Sequence, residues 1–183
     1  MPETILDGAR LERTIERLAH EVVQRVEDPE GLAVIGIRRR GVPLAHKLAA
    51  ALRKDRGADD GWPPLGVLDI TLYRDDLSMI ADQPVVRRTE IDFDLEGKHV
   101  ILVDDVLFTG RTVRAAIDAL FALGRPARVE LLVLVDRGHR ELPIEAGYVG
   151  ERIETERGDR VHVLLQEFDG RDGVEVVRGG AAQ

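Results

Sequence analysis

Val100-Ile101-Leu102-Val103-Asp104-Asp105-Val106-Leu107-Phe108-Thr109-Gly110-Arg111-Thr112 is the stretch from which the fold can be read. Its first four residues are all apolar, the pattern of a strand buried on both faces, as in a parallel sheet. Two carboxylates, Asp104 and Asp105, stand where that strand is expected to end. A short loop follows, and Thr109-Gly110-Arg111-Thr112 opens an amphipathic helix expected to run to about Gly124. Paired acids at the carboxyl end of a strand can bind sugar hydroxyls. A Thr/Gly turn at a helix start offers backbone N–H groups and a positive dipole end to a phosphate. One loop therefore suits a ribose and its 5-phosphate together.

Apolar strands that end in two aspartates also occur as the Mg²⁺-binding strand of nucleotide hydrolases. Those need a G-x-x-x-x-G-K-[ST] loop. The nearest candidate here, Gly36 to Gly41, has the spacing but is followed by Val42. A G-x-G-x-x-G dinucleotide loop is also missing.

Outward from this stretch, the chain alternates strands and helices. Residues 10–27 read as a helix, with Leu11, Ile15, Leu18, Val22 and Val26 on one stripe. At 100° per residue, Arg10, Arg13, Arg17 and His20 share a second arc about 80° wide. Leu32 to Ile37 is an apolar strand, Arg38-Arg39-Arg40-Gly41 a loop, and Val42 to Arg53 a helix. Asp55 to Pro64 reads as a linker and Leu65 to Leu72 as a strand. Tyr73 to Glu90 is charged and aperiodic, a long loop or β-arm; segments of that length inside a compact domain usually have a function. Ala127 to Val135 is a strand, followed by the polar loop Asp136 to Pro143. Tyr148-Val149-Gly150 is a short edge strand, and Arg160 to Gln166 and Val174 to Val177 are strands. This order implies an α/β fold with a central parallel sheet flanked by helices. In such folds ligands sit beyond the carboxyl ends of the strands. The loops after Ile37, Val103 and Val135 all lie on that edge.

The chain of 183 residues is expected to form a single domain. It has no cysteine, which excludes disulfides, thiolate metal sites and a thiol nucleophile. Met1-Pro2-Glu3-Thr4 lacks the basic and apolar regions of a signal peptide, and no apolar run is long enough for a membrane span. The cytoplasm is the expected location, with no membrane partner. A formal net charge of −8 argues against a general nucleic-acid-binding surface, so any RNA site must be a local basic patch.

Three further segments admit two readings each. Arg38-Arg39-Arg40-Gly41 is either a solvated basic turn or, placed between strand and helix, a holder of pyrophosphate. Asp69-Ile70-Thr71-Leu72-Tyr73-Arg74-Asp75-Asp76-Leu77 is either an exposed β-arm or a lid that excludes water and brings Arg74 to a leaving group. Arg13, Arg17, His20 and Arg25 are either a solvated helix face or part of a phosphate-contacting one.

The 100–112 pattern resembles the phosphoribosyl-pyrophosphate (PRPP) signature of type I phosphoribosyltransferases. Joined to Ile5-Leu6-Asp7, Leu18-Ala19-His20-Glu21, Arg40-Gly41, Asp69 to Leu77, and Asp136-Arg137-Gly138-His139-Arg140-Glu141, it resembles the PyrR family over nearly the whole chain. That resemblance implies a small hood on the sheet and a flexible arm at about 73–90. It implies transfer of ribose 5-phosphate from PRPP to uracil, with Mg²⁺ bound along with PRPP and held through water by Asp104 and Asp105. PRPP and UMP would meet Arg39, Arg40 and Gly41, the loop Val106, Leu107, Phe108, Thr109, Gly110, Arg111 and Thr112, and, at the base, Arg137 and the backbone at Val161. Asp104, Asp105 and Arg74 would be the catalytic residues.

It further implies UMP- or UTP-dependent binding of pyrimidine-operon mRNA leaders through Arg13, Arg17, His20, Arg25, His139 and Arg140. A homodimer or higher homo-oligomer is also implied. The family pattern has a hydroxyl residue where Glu16 stands and Arg where Glu145 stands, so this RNA face carries extra negative charge. Two rival expectations are a phosphoribosyltransferase for a purine or orotate, and an RNA regulator whose site only senses nucleotide.

Overall fold

The computed structural model describes residues 2–73 and 88–179. Strands β2 (Leu32–Ile37), β3 (Leu65–Leu68), β4 (His99–Leu107), β5 (Arg128–Asp136) and β6 (Tyr148–Arg152) form one sheet in the order β3-β2-β4-β5-β6. Every neighbouring pair in it is parallel. Strands β1 (Glu3–Asp7), β7 (Arg160–Leu164) and β8 (Gly173–Val177) form a separate antiparallel sheet in the order β1-β8-β7, the hood.

The apolar run of β4 is buried on both faces, and the alternation of side chains assigns each residue to a layer. Ile101 and Val103 pack with Leu11, Ile15, Leu18 and Val22 of helix α1 (Gly8–Arg25) and Leu44, Leu48 and Leu52 of α2 (Gly41–Arg56). Val100 and Leu102 pack on the other face with Ala115, Ala116, Ala119 and Leu120 of α3 (Arg111–Phe121). The small residues of α3 let it lie close to the sheet.

Several boundaries differ from the sequence reading. Strand β4 continues through the aspartate pair to Leu107, because β5 keeps pairing with it as far as Leu107↔Asp136. Its pairing with β2 stops at Gly36↔Val103, so the carboxylates sit where β2 peels away. Helix α3 begins at Arg111 and ends at Phe121, shorter than expected at both ends. Helix α1 starts at Gly8, where Asp7 Oδ1 accepts the Arg10 N–H at 2.7 Å. Gly41 belongs to α2, which runs on to Arg56 and closes on a left-handed Gly57. Strand β3 stops at Leu68, not Leu72, because Asp69 Oδ1 accepts both the N–H and the hydroxyl of Thr71 and turns the chain into a 3-10 turn at Thr71–Tyr73. Strand β7 ends at Leu164. Strand β1 has no counterpart in the sequence reading, and the arm expected at 73–90 falls mostly outside the described residues.

The connections fix where a ligand can bind. From β2 the chain moves outward to β3; from β4 it moves the opposite way to β5 and β6. The gap between β2 and β4, at their carboxyl ends, is therefore the point at which winding reverses, and crevices in open α/β sheets form there.

Candidate active site

Asp104 and Asp105 occupy that point. Asp104 is buried, and its Oδ1 accepts the Asp105 N–H at 2.9 Å. Asp105 Oδ1 accepts the Val106 N–H at 2.8 Å. Burial pushes the Asp105 carboxyl above the usual carboxylate range, opposed by these hydrogen bonds and by the charge of Arg40. Two adjacent carboxylates offer hard oxygen donors of the kind Mg²⁺ takes, directly or through water. Among the described residues no cluster of three or more acidic, His or Cys side chains forms a protein-only metal cage.

The loop after β2 is pressed against this pair. A Cβ on Gly41 would lie 2.4 Å from the Val103 carbonyl oxygen and 3.4 Å from Asp104 Cα, so only glycine lets α2 start this close to β4. The Arg38–Arg39 peptide is cis. Arg38 turns away to the Arg88 carbonyl (3.0 Å) and Glu90 (3.2 Å). Arg39 lies over the Phe168 ring at 5.2 Å. Arg40 reaches the hood, donating to the Val163 carbonyl at 2.7 Å and to Asp169 at 2.6 Å.

On the far side, Val106 to Thr109 lead into Gly110, whose φ of +92° needs a glycine and which directly precedes α3. Thr109 O accepts the N–H groups of Glu141 (2.9 Å) and Leu142 (3.2 Å), which fixes this loop against the one after β5. Arg111 Nε donates to Glu141 at 2.9 Å, and Arg157 holds the same carboxylate. The first turn of α3, with Thr112, aims its backbone N–H groups at the loop, as an anion site requires.

Arg137 is buried, with its guanidinium 4.1 Å from the centre of the Phe108 ring. It donates to Thr155 Oγ1 (3.2 Å), Asp159 O (2.9 Å) and Glu156 O (2.8 Å). Desolvation holds its pKa below the ordinary arginine value. Asp159 is held down to about 2 by the N–H groups of Glu156 and Gly179 and by Arg178. Val161 sits in β7, paired with Val176, three residues before Leu164.

The six residues expected on an RNA face form two groups. On α1, Arg13 is exposed. Arg17 donates to Gly150 O (2.6 Å) and Val149 O (3.3 Å), and Arg25 donates to Gly147 O (3.0 Å) while lying 5.0 Å from the centre of the Tyr148 ring. His20 faces Asp55 at 3.3 Å. These arginines therefore cover the edge of the sheet. The second group is committed to its own loop: His139 Nε2 is 2.6 Å from Thr155 O, and Arg140 binds Asp136 (2.6 Å), Phe108 O (2.8 Å) and Ile144 O (3.0 Å). Glu145 lines a cavity of about 530 Å³ with Asp136, Arg140 and Arg152. Arg152, which the sequence reading missed, is 71% exposed beside Asp136. It links the two groups, because it shares β6 with the carbonyls that Arg17 binds. Arg74 lies outside the described residues.

Sequence reasoning also missed Phe168 and Asp169, which meet Arg39 and Arg40. No local pattern marks them; only the fold brings residues 40 and 169 together.

Comparison with known proteins agrees with this arrangement. The family model for the phosphoribosyl transferase domain matches residues 2–163. The bifunctional protein PyrR of Deinococcus radiodurans is 55% identical over 173 residues, 94% of this chain and 93% of that protein. The PyrR proteins of Thermus thermophilus and Elusimicrobium minutum are 53% and 50% identical, covering 94% and 97% of this chain and 93% and 97% of theirs. Among solved structures, a hypoxanthine-guanine phosphoribosyltransferase from Bacillus anthracis superposes with a TM-score of 0.69 at 20% identity, covering 95% of this chain and 96% of that one. A hypoxanthine phosphoribosyltransferase from Staphylococcus aureus gives 0.69 at 18% identity, covering 98% and 93%. At such identities these two structures speak for the fold alone. With the reversal-point carboxylates, the glycine-tight loop and the hood all in place, the chain belongs to the phosphoribosyl transferase domain family and, within it, to the PyrR bifunctional proteins.

Proposed function

We propose that this chain transfers the ribose 5-phosphate of PRPP to uracil, forming UMP and pyrophosphate. We propose also that it binds the mRNA leader of a pyrimidine operon under control of UMP or UTP in the same site. The observation that carries the reading is the convergence of three loops on the β2/β4 reversal point: the Asp104–Asp105 pair, the Gly41-tight basic loop, and the Gly110 turn that opens α3.

The roles follow from the chemistry. Asp104 and Asp105 hold the ribose hydroxyls and would face a Mg²⁺ bound along with PRPP, which would neutralise charge on the leaving pyrophosphate. The backbone from Val106 to Thr112, with Thr109 and Thr112 hydroxyls, grips the 5-phosphate, and Arg111 braces the loop through Glu141. Arg39, Arg40 and the start of α2 at Gly41 face the pyrophosphate. Arg137 and Phe108 form a wall for the base, and the β7 backbone at Val161 meets its polar edge. The bond from C1 of the ribose to the pyrophosphate oxygen breaks, and the bond from the uracil ring nitrogen to C1 forms. The pyrophosphate keeps the electron pair, and the ring proton leaves to water. Positive charge on the ribose at the transition state is met by the two carboxylates, so positioning and electrostatics supply most of the rate.

RNA binding draws on Arg13, Arg17, His20 and Arg25 along α1, continued through Arg152 toward His139 and Arg140. A homodimer or larger homo-oligomer suits the exposed Phe121 and Leu123 at the end of α3. Among the described residues no helix is long and apolar enough to cross a membrane; we place the protein's work in the cytoplasm, with the mRNA it is proposed to bind.

A base panel tests the catalytic reading. With PRPP and Mg²⁺, uracil is expected to give UMP, while hypoxanthine, guanine and orotate give nothing measurable. Turnover on one of those bases instead would reassign the substrate.

A further inference from the structure

Arg40 faces two demands. It belongs to the loop expected to hold pyrophosphate, yet its guanidinium is clamped on the hood. Nη1 donates to Asp169 Oδ2 at 2.6 Å and to the Val163 carbonyl at 2.7 Å, and Nη2 reaches Asp169 Oδ1 at 3.3 Å. This is a two-pronged, charge-assisted contact, the strongest kind of side-chain pair. Asp169 Oδ2 also accepts the Leu165 N–H at 2.9 Å. Arg40 therefore ties the loop after β2 to Val163 directly and to Leu165 through the Asp169 carboxylate. Those residues flank the end of β7, the strand on which Val161 is placed to meet the base. Phe168, one residue earlier, packs under Arg39 and Arg40 at 5.2 and 5.4 Å. The pair is about one-third and one-fifth exposed (35% and 22%), shielded enough for its geometry to be held.

We propose that Asp169 is a positioning residue that, through Arg40, couples occupation of the pyrophosphate loop to the base-reading strand β7. A pyrophosphate settling on the loop fixes Arg40, Arg40 fixes Asp169 and Val163 O, and the base edge of β7 is set. The coupling is a free energy shared by two sites and so acts equally in both directions. It rests on the phosphoribosyltransferase reading of the site.

The structure contains its own control. Lys47 and Asp172 form a second ion pair between α2 and the hood at 2.8 Å, and Asp172 Oδ1 also accepts the Gln166 N–H at 2.9 Å. That pair holds the hood in place without touching residues 38–41. Loss of hood anchoring alone would therefore show in both variants, and loss of coupling in one.

The test is calorimetric titration with UMP, with and without magnesium pyrophosphate, of the wild-type protein, Asp169→Ala, Asp169→Glu and Asp172→Asn. Pyrophosphate is expected to tighten UMP binding by wild type at least about fivefold, the lower end of ordinary coupling. Asp169→Ala, which leaves Arg40 only the Val163 carbonyl, is expected to cut that gain by at least about half while binding UMP alone within about threefold of wild type, a difference of under 1 kcal/mol. Asp169→Glu restores part of the gain, and Asp172→Asn keeps all of it even where it melts earlier. An undiminished gain in Asp169→Ala overturns the coupling, as does wild-type affinity indifferent to pyrophosphate or loss of the gain in Asp172→Asn. A wild-type protein that binds neither UMP nor pyrophosphate overturns the reading of the site, and the coupling with it.

Discussion

At the scale of single residues, the aspartate pair sets function against stability. The Asp105 carboxyl titrates above its ordinary value because burial disfavours its charge. The folded state therefore binds that proton more tightly than the unfolded chain. Stability falls as pH rises from about 3.9, the ordinary aspartate value, toward the raised one, as the folded state gives up its tighter hold on the proton. Asp105→Asn removes the cost. It is expected to raise the melting temperature at pH 7, by about 2–4 °C for each kcal/mol recovered, with the advantage vanishing below about pH 4. The Asp104→Asn/Asp105→Asn double variant is expected to lose at least about a hundredfold in UMP formation, the scale of losing a site's charge stabilisation. Near-normal turnover would remove both residues from the ribose site. The pair was legible in the sequence because it stands between an apolar run and a Thr/Gly helix start, within the whole pattern of residues 100–112. Asp169 was not legible, since a lone acid in a polar stretch acquires meaning only from a partner 129 positions away.

At the scale of elements, the apolar runs gave β2, β4 and β5 with small errors, because strands buried on both faces carry their signal in composition alone. Their ends were set by contacts that local sequence does not show. Continued pairing with β5 carries β4 past the acids, and the Asp69 side chain stops β3 early. Strand β1 escaped notice because its five residues bury only Leu6 fully, and its partner β8 lies at the other end of the chain. The contact between α2 and β4 makes a sharp prediction. Gly41→Ala would drive a Cβ into the Val103 carbonyl, which neither backbone can yield without shifting the basic loop. A loss of about 1–3 kcal/mol in stability is expected from such overpacking, measured by urea unfolding. UMP formation should fall further than the stability loss explains, since the loop moves away from the acids. A variant with wild-type stability and turnover would show that the loop does not depend on this approach.

At the scale of the whole molecule, the net negative charge limits where RNA can bind. A charge of −8 gives no general attraction to RNA, so the RNA face proposed along α1 and β6 has to act locally. Arg17 holds carbonyls of β6 and Arg25 the Gly147 carbonyl just before it, contacts invisible in the sequence, where the two read as a solvated or a phosphate-contacting helix face. Arg17→Ala is therefore expected to cost about 1 kcal/mol of stability through the lost carbonyl contacts, whereas His20→Ala, an exposed pair with Asp55, should cost close to nothing. Together they are expected to weaken leader binding and flatten its salt slope by about one unit per lost phosphate contact, sparing UMP formation. Unchanged affinity would place the RNA surface elsewhere.

The central claim is that one site both makes UMP and reports it to the RNA surface. The measurement that tests it most directly is the affinity of the protein for the leader of its own pyrimidine operon, with and without UMP, across a salt series. The account predicts tight binding, strengthened by UMP and falling steeply with salt. Absence of binding at low salt, with or without UMP, would contradict it and leave a phosphoribosyltransferase alone.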